Sequence, residues 1–184
     1  MTGHPPLLVI AGATATGKTG LSIEVAQQLR AEGIAAEVIS ADSRQVYRGL
    51  DIGTAKVPVA ERADVPHHGL DLVEPDEPFS VADYVRHANA VLARLAAGNG
   101  LAILVGGTGL YLRAIARGLD ADALPSDPQR RRRIDAEMAA GLDGAVARLR
   151  ALAPSRAARI DLRNPRRVSR ALELAELAGD EPLP

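Results

Sequence analysis

The chain has 184 residues, which is enough for one domain or for one domain with an insert. Only 2% of the residues are aromatic, so stacking surfaces for single-stranded bases are scarce and the core must be aliphatic. The absence of cysteine excludes disulfides and thiolate metal sites. The sequence has neither a membrane-spanning run nor a targeting signal, so we expect a cytoplasmic protein with no membrane partner. We also expect a monomer.

The net charge of −1 hides an uneven distribution of charged residues. Basic minus acidic residues give −3 for residues 1–121 (10 − 13), +6 for residues 122–170 (12 − 6) and −4 for residues 171–184 (0 − 4). A basic block inside a neutral protein is either a solvated helical face or a surface that binds a polyanion. The charge alone leaves both interpretations open.

The first predicted strand, Leu7–Ala11, leads directly into a glycine-rich loop. The loop matches the P-loop pattern and consists of Gly12, Ala13, Thr14, Ala15, Thr16, Gly17, Lys18 and Thr19. In this pattern, backbone amides and the start of the next helix bind phosphate oxygens, and Lys18 adds a full positive charge. The hydroxyl of Thr19 is placed to ligate Mg²⁺. We therefore predict a phosphate-binding site with Mg²⁺ as its cofactor.

The elements after the P-loop alternate between helix and strand. Apolar residues at helical spacing predict a helix that ends at Gly33, and Ser80 with Asp83 forms a capping-box pattern that opens another helix. The further predicted strands are Ala36–Ser40, a weak candidate at Leu70–Val73, and Leu101–Val105. The last of these is continuously apolar, which is typical of a strand buried in a parallel sheet. It ends in a glycine-rich turn, where open α/β sheets bind their ligands.

From about residue 120 the strand signals cease and arginine becomes frequent. Asp127 followed by proline predicts the start of a helix that carries Arg130–Arg133, and Asn164 followed by proline predicts a last helix that ends near Gly179. Along this last segment Arg163, Arg167 and Arg170 are spaced by four and three residues and can form one stripe, with Arg166 beside it, and the opposite side carries Val168, Leu172 and Ala175. The predicted fold is therefore α/β: a P-loop NTPase-like parallel sheet flanked by helices, with an arginine-rich helical insert.

Asp42 is the carboxylate nearest to the phosphate-binding edge, just past the second strand. P-loop NTPases usually place an aspartate after an apolar strand to help hold Mg²⁺. Here the best buried strand, Leu101–Val105, is followed by Gly-Gly-Thr and not by a carboxylate. Position alone leaves three interpretations of Asp42: a Mg²⁺ ligand, a structural residue that caps the local backbone, or a general base.

Five segments in colinear order resemble the tRNA dimethylallyltransferases, also called tRNA isopentenyltransferases. They are the P-loop, Asp42–Lys56, Val65–His68, Gly106–Tyr111 and Asn164–Glu173. The resemblance implies transfer of a dimethylallyl group from dimethylallyl diphosphate to the exocyclic amine of the adenine 3′ of the anticodon in tRNA. The P-loop, which has the form of an ATP-binding motif, would then hold the diphosphate leaving group.

The resemblance also implies roles for individual residues. Asp42 matches the general base of the family, and Thr108 matches a catalytic-site residue that contacts substrate. The positions that match tRNA-binding residues are Asp42, Ser43, Arg44, Gln45, Arg131, Arg166, Arg167 and Arg170. Gln45 could bond the extruded base, because chemistry on a stacked base requires that it be flipped out. For His67 and His68 we expect packing or polar contacts rather than metal binding.

On this interpretation the chain has three segments. Residues 1–121 are the amino-terminal part of the catalytic core, residues 122–164 are a helical insert that binds the anticodon stem-loop, and residues 165–184 form a helix that returns toward the core. Members of the family continue beyond the length of this chain, so we expect the remainder of the core to be absent and the 184-residue chain to have weak activity or none.

Other functions remain open. An adenylate isopentenyltransferase would act on free adenine nucleotides, and a P-loop small-molecule kinase would share the sheet and the phosphate site. The arginine-rich insert argues against both. A remnant that binds RNA without catalysis is the third alternative.

Overall fold

The computed structural model describes residues 5–119 and 125–181 of the chain. They fall into two compact units, one within residues 1–121 and the other within residues 122–184. The first unit contains strands β1 (Leu7–Ala11), β2 (Ala36–Ser40), β3 (His67–His68) and β4 (Leu101–Gly106), and helices α1 (Lys18–Ala31), α2 (Val81–Ala97) and α3 (Gly109–Ala116). The second contains helices α4 (Pro128–Ala140), α5 (Leu142–Leu152), α6 (Pro154–Ala157) and α7 (Pro165–Ala178).

The strands of the first unit form one parallel sheet with the order β1-β4-β2-β3. Successive residues of the central strands face opposite sides: Val38 and Ile103 pack with α1, whereas Ile39 and Leu104 pack with α2 and α3. Helices therefore cover both faces, and every residue of β2 is buried. The predicted α/β fold with a parallel sheet flanked by helices is confirmed.

The weak strand candidate at Leu70–Val73 is wrong. The strand in this region is β3, which consists only of His67 and His68. Gly69 and Asp71 have φ angles of +79° and +54°, so the chain turns where a strand would extend, and only Val73 forms an isolated bridge. Sequence analysis also missed α3, because its eight residues are too short for a periodic pattern to identify them.

Helix α2 supports the end of β2, where Asp42 begins the next loop. The predicted capping box is present: the Ser80 hydroxyl accepts the Asp83 amide, and the Asp83 carboxylate accepts the Ser80 amide. One turn further on, the buried Tyr84 hydroxyl donates to the Ser40 carbonyl over 3.0 Å. Burial raises the pKa of Tyr84, so this hydroxyl stays a donor. Its ring stacks on Tyr111 of α3 with centroids 3.9 Å apart.

The second unit is helical throughout its described residues. As predicted, the side chains of Asp127 and Asn164 accept hydrogen bonds from the first turns of α4 and α7. Its buried core contains Ile134, Leu149, Val168 and Leu172. Helix α7 packs against α4 and α5, so the described part of residues 165–184 belongs to the same compact unit as the insert helices. The functional assignments of the three predicted segments stay predictions.

Candidate functional site

Three loops meet at the carboxyl edge of the sheet, because β1, β4 and β2 are parallel neighbours. The P-loop follows β1, Asp42 follows β2, and Thr108 follows β4. The Ala41 amide donates to the Val105 carbonyl over 2.7 Å, and the Thr108 amide donates to the Ala41 carbonyl over 3.1 Å. The backbones approach so closely that a Cβ at Gly106 would lie 2.3 Å from the Ala41 oxygen. Only glycine fits there.

A cavity of about 170 Å³ opens at this edge. Its lining divides into a polar and an apolar part. The polar part comprises Thr14, Thr16, Gly17, Lys18 and Thr19 of the P-loop, with Ser40, Asp42, Gln45 and Thr54. The apolar part comprises Val38, Ala55, Val57, Leu70 and Val105, with His67 beside them. The site therefore suits a ligand with a phosphate head and a hydrocarbon body.

The P-loop connects β1 to α1 and is exposed. Gly17 adopts a φ of +77°, which glycine tolerates, whereas Ala15 adopts +63° and bears some strain. The Lys18 ammonium donates to the Ala13 carbonyl and, over 3.2 Å, to the Thr16 hydroxyl. Lys18 thus folds over its own loop, where a phosphate could replace these weaker neutral acceptors.

Asp42 lines the cavity with one carboxylate oxygen engaged. The Arg44 amide donates to Oδ1 over 2.8 Å, which fixes the orientation of the side chain. Oδ2 has no hydrogen-bond partner among the residues that the structure describes. The geometry thus gives Asp42 both a local backbone contact and a free acceptor.

Thr108 and Ser43 form a hydrogen-bonded pair beside the cavity rather than in its lining. The Thr108 hydroxyl accepts the Ser43 amide over 3.0 Å and lies 3.4 Å from the Ser43 hydroxyl. This pair joins the loop after β4 to the loop after β2 and so holds Asp42 in place. Substrate contact by Thr108, Ser43 and the exposed Arg44 stays a prediction.

Gln45 is engaged within the protein. Its Oε1 accepts the Ser40 hydroxyl over 2.9 Å, and its Nε2 donates to the carbonyls of Thr54 and Ala55. Gln45 therefore fastens the loop that forms one wall of the cavity. Contact with an extruded base would require it to release these carbonyls, and that contact stays a prediction.

The buried Lys56 also stabilises the loop that Gln45 holds. Only 3% of the Lys56 side chain is exposed, and its ammonium lies 2.7 Å from Asp51 Oδ1 and 2.5 Å from Asp71 Oδ1. It also donates to the Tyr47 carbonyl. Burial alone would lower the pKa of Lys56, but the two carboxylates outweigh it and raise the pKa. Lys56 is therefore a charged structural anchor.

His67 and His68 face opposite sides of the sheet. His68 Nε2 lies 2.6 Å from Glu37 Oε2, and Glu37 is also paired with Arg94 of α2. His67 Nδ1 lies 2.8 Å from the Val65 carbonyl, and His67 lines the cavity. Groups of three or more potential metal-binding side chains are absent from residues 5–119 and 125–181. Sequence analysis gave no signal that His67 lies in the site.

The arginines predicted to bind tRNA belong to the second unit. Arg166, Arg167 and Arg170 line a separate cavity of about 550 Å³, together with Arg156 and Arg159. Within the part of the chain that the structure describes, the guanidinium groups of Arg159, Arg166 and Arg167 make no ion pair. The cavity thus presents several positive charges.

Arg131 and Arg170 have carboxylate partners instead. Both bind Glu173, whose side chain is fully buried, over 2.8 Å and 2.6 Å. Glu173 Oε1 also accepts the Asp127 amide over 2.9 Å. Burial alone would raise the pKa of Glu173, but these hydrogen bonds outweigh it and lower the pKa. Arg131 and Arg170 therefore have a structural function, whatever else they bind.

The described ranges contain no helix with the length and apolar character needed to cross a membrane.

Comparison with known proteins finds relatives that are named tRNA dimethylallyltransferase. A tRNA dimethylallyltransferase from Roseiflexus sp. (strain RS-1) is 48% identical over 175 residues, which are 95% of this chain and 56% of that protein. One from Clavibacter sepedonicus is 43% identical over 178 residues, which are 96% of this chain and 57% of that protein.

Two solved structures are similar as well. The full-length tRNA isopentenylpyrophosphate transferase from Bacillus halodurans aligns with a TM-score of 0.60 at 40% identity, over 94% of this chain and 56% of that one. A eukaryotic dimethylallyltransferase acting on tRNA aligns with a TM-score of 0.75 at 28% identity, over 94% of this chain and 41% of that one.

The chain spans about half the length of the curated relatives that it matches. A family model described as IPP transferase matches residues 45–183, which are 139 of the 184 residues. The resemblance found in the sequence is thus confirmed, and the chain belongs to the IPP transferase family.

Proposed function

We propose that this chain takes part in the transfer of a dimethylallyl group from dimethylallyl diphosphate to the exocyclic amine of the adenine 3′ of the anticodon in tRNA. The observation that carries the proposal is the cavity in which a P-loop continues into an apolar wall. An allylic diphosphate has the matching form, a charged head on a hydrocarbon tail. Relatives named tRNA dimethylallyltransferase support the same reaction.

The P-loop would bind the diphosphate. Its amides and the amino terminus of α1 attract anions, and Lys18 would exchange the Ala13 carbonyl for a phosphate oxygen. Negative charge on the diphosphate grows as the allylic carbon–oxygen bond breaks. Donors already oriented toward that charge stabilise the transition state more than the ground state.

Mg²⁺ fits this site through Thr19. The ion keeps several waters and needs only one or two protein oxygens when a substrate supplies phosphates, so a cluster of carboxylates is unnecessary. The Thr19 residue lies at the second position of α1 and lines the cavity. Bound Mg²⁺ would neutralise part of the charge on the leaving diphosphate.

Asp42 would act as the general base. In the reaction, the bond between C1 of the dimethylallyl group and the diphosphate oxygen breaks, and a bond between C1 and the adenine nitrogen forms. The nitrogen is a weak nucleophile because its lone pair is delocalised into the ring, so removal of its proton assists attack. Asp42 Oδ2 is the free acceptor that would take this proton, while the Arg44 amide holds Oδ1.

The arginines of the second unit would bind the RNA. Arg159, Arg166 and Arg167 line one cavity and make no ion pair among the described residues, so their charges are available to phosphates, whereas Arg156 of the same cavity is bonded to the Gly179 and Glu181 carbonyls. Contacts of this kind position an RNA, and its shape and extruded base supply selectivity. A cytoplasmic location and a monomeric state are part of the proposal.

Ligand protection tests the donor. We expect dimethylallyl diphosphate with Mg²⁺ to raise the melting temperature of the chain more than ATP does at the same concentration. Lys18→Ala should remove this protection, whereas Arg30→Ala, which removes an exposed charge from the far end of α1, should keep it. Protection by ATP alone would favour the kinase alternative.

Single-turnover transfer tests Asp42. With protein in excess over a radiolabelled donor and an anticodon stem-loop, Asp42→Ala should abolish transfer and leave stem-loop affinity within about twofold. Unchanged transfer would refute the general-base assignment. Transfer to free AMP in preference to the stem-loop would favour the adenylate isopentenyltransferase alternative.

A further inference from the structure

The lining of the cavity in the first unit extends across the sheet from the P-loop to His67, which lies on the outermost strand β3. The P-loop follows β1, Val105 belongs to β4, Val38 to β2 and His67 to β3, and all of them line the cavity. The strand order β1-β4-β2-β3 therefore gives the order in which a ligand that starts at the P-loop would meet them. Val38 and His67 are register partners, so their side chains lie on the same face.

The His67 ring is held so that it offers the cavity no accessible polar atom. Nδ1 donates to the Val65 carbonyl over 2.8 Å, and Nε2 is buried, with no hydrogen-bond partner among the described residues. Burial lowers the pKa of His67 and outweighs the hydrogen bond to Val65, which raises it, and the nearby Arg62 and His68 lower it further, so the environment favours the neutral ring. A neutral ring whose nitrogens are both out of reach is a suitable wall for a hydrocarbon chain.

A five-carbon tail is about as long as one strand spacing. Its longest run has three carbon–carbon bonds of about 1.5 Å each, so it extends about 4 Å, against a strand spacing of about 4.8 Å. With its diphosphate held at the P-loop beside β1, such a tail would begin over β4 and end over the next strand, β2. A ten-carbon geranyl tail is about twice as long and would reach the β3 position that His67 occupies.

We propose that His67 is the end wall of the prenyl-tail part of the cavity and limits the donor to five carbons. This assignment rests on the proposed function. The exclusion is steric, because packed interiors do not make room for extra methylene groups without displacing neighbours. Here the neighbours are Val38 of the central strand β2, which is fully buried, and Val65, which holds the ring.

Binding of unreactive thiodiphosphate analogues tests the assignment in the whole chain. Calorimetry would give the ratio of the geranyl to the dimethylallyl dissociation constant for each variant. We expect His67→Ala to lower this ratio at least tenfold, because the removed ring opens the end of the cavity. His67→Val, which keeps a strand-forming residue at this position, should also lower the ratio. If the alanine variant does not fold, the valine variant provides the test.

His68→Ala is the matched control. It removes the same side chain from the next residue, on the opposite face and outside the cavity, so its ratio should stay within twofold of the unaltered chain. A folded His67 variant with an unchanged ratio would overturn the assignment while leaving the proposed function intact. Failure of the unaltered chain to bind either analogue would overturn the proposed function and the assignment with it.

Discussion

Glu173→Gln should destabilise the helical unit strongly. The Glu173 carboxylate is fully buried and binds Arg131, Arg170 and the Asp127 amide. Glutamine has nearly the same shape but no charge, so the two guanidinium groups lose their counterion. The change therefore isolates the electrostatic contribution of one buried group.

The magnitude follows from the exposure of the two arginines. Removing one partner of a buried ion pair costs about 3–5 kcal/mol. Here 44% of the Arg131 side chain and 33% of the Arg170 side chain are exposed, so water screens part of the charge that remains. We therefore expect a loss of about 2–3 kcal/mol. For a unit of roughly 60 residues this corresponds to a melting temperature lower by about 8–24 °C.

The effect should depend on pH in a defined direction. The folded-state pKa of Glu173 lies below its ordinary value of 4.5, mainly because the hydrogen bonds from Arg131 and the Asp127 amide outweigh the effect of burial. Its contribution to stability is therefore complete above pH 4.5 and is lost as the pH falls through the folded pKa. The difference between wild type and Glu173→Gln should be large at pH 7 and should shrink at pH 3.

Urea unfolding followed by circular dichroism at both pH values measures this difference. Asp143→Asn makes the same charge change at an exposed position in the first turn of α5, and it should cost no more than about 0.5 kcal/mol. A Glu173→Gln variant as stable as the Asp143→Asn control at pH 7 would refute the reasoning. A loss that is equal at the two pH values would refute it as well.

Three further predictions concern the buried Lys56, the close backbone contact at Gly106, and the arginines that we propose to contact RNA. Lys56→Met should cost about 2–4 kcal/mol in urea unfolding, because its two carboxylate partners lose their counterion; a near-neutral change would contradict this. Gly106→Ala should cost at least about 2 kcal/mol because its Cβ overlaps backbone, whereas Gly144→Ala, in open space on α5, should gain about 0.5–1 kcal/mol. Replacing Arg166 and Arg167 by alanine should reduce the salt slope of stem-loop binding by about 1.5; an unchanged slope would argue against phosphate contacts.

The sequence predicts the features of this protein that depend on local patterns. The strands β2 and β4 are short, mainly aliphatic runs that helices bury on both faces, and β1 is an aliphatic run at the edge of the sheet, where Leu8 and Val9 stay exposed. The caps at Ser80, Asp127 and Asn164 are local hydrogen bonds. The P-loop of the candidate site is also a local sequence motif. Parallel topology then brings Asp42 close to the P-loop. The P-loop follows β1, Asp42 follows β2, and only β4 lies between these two strands.

The apolar wall of the cavity could not be predicted, because long-range polar contacts create it. Val57 and Leu70 are isolated apolar residues in loops, without a period that marks them as lining a site. They reach the cavity because Gln45 holds the loop at Thr54 and Lys56 joins Asp51 to Asp71. The place of His67 in the cavity could not be predicted either, because only the register of β3 beside β2 shows which of two adjacent histidines faces the cavity.

The arginines of the second unit divide into those that are paired with carboxylates and those that are not. Composition alone could not show this division. Of the 12 arginines in residues 122–170, six are in ion pairs with carboxylates: Arg130, Arg131, Arg133, Arg148, Arg163 and Arg170. The arginines of the cavity between α6 and α7 are mostly in the other group. Since each phosphate contact contributes about 0.7–0.9 to the salt slope, the four arginines of this cavity that make no ion pair among the described residues would give a slope of about −3 to −4, much shallower than 12 arginines would give. Half of the arginines in residues 122–170 are thus paired with carboxylates of their own unit, and the proposed RNA contacts come from the arginines of this one cavity.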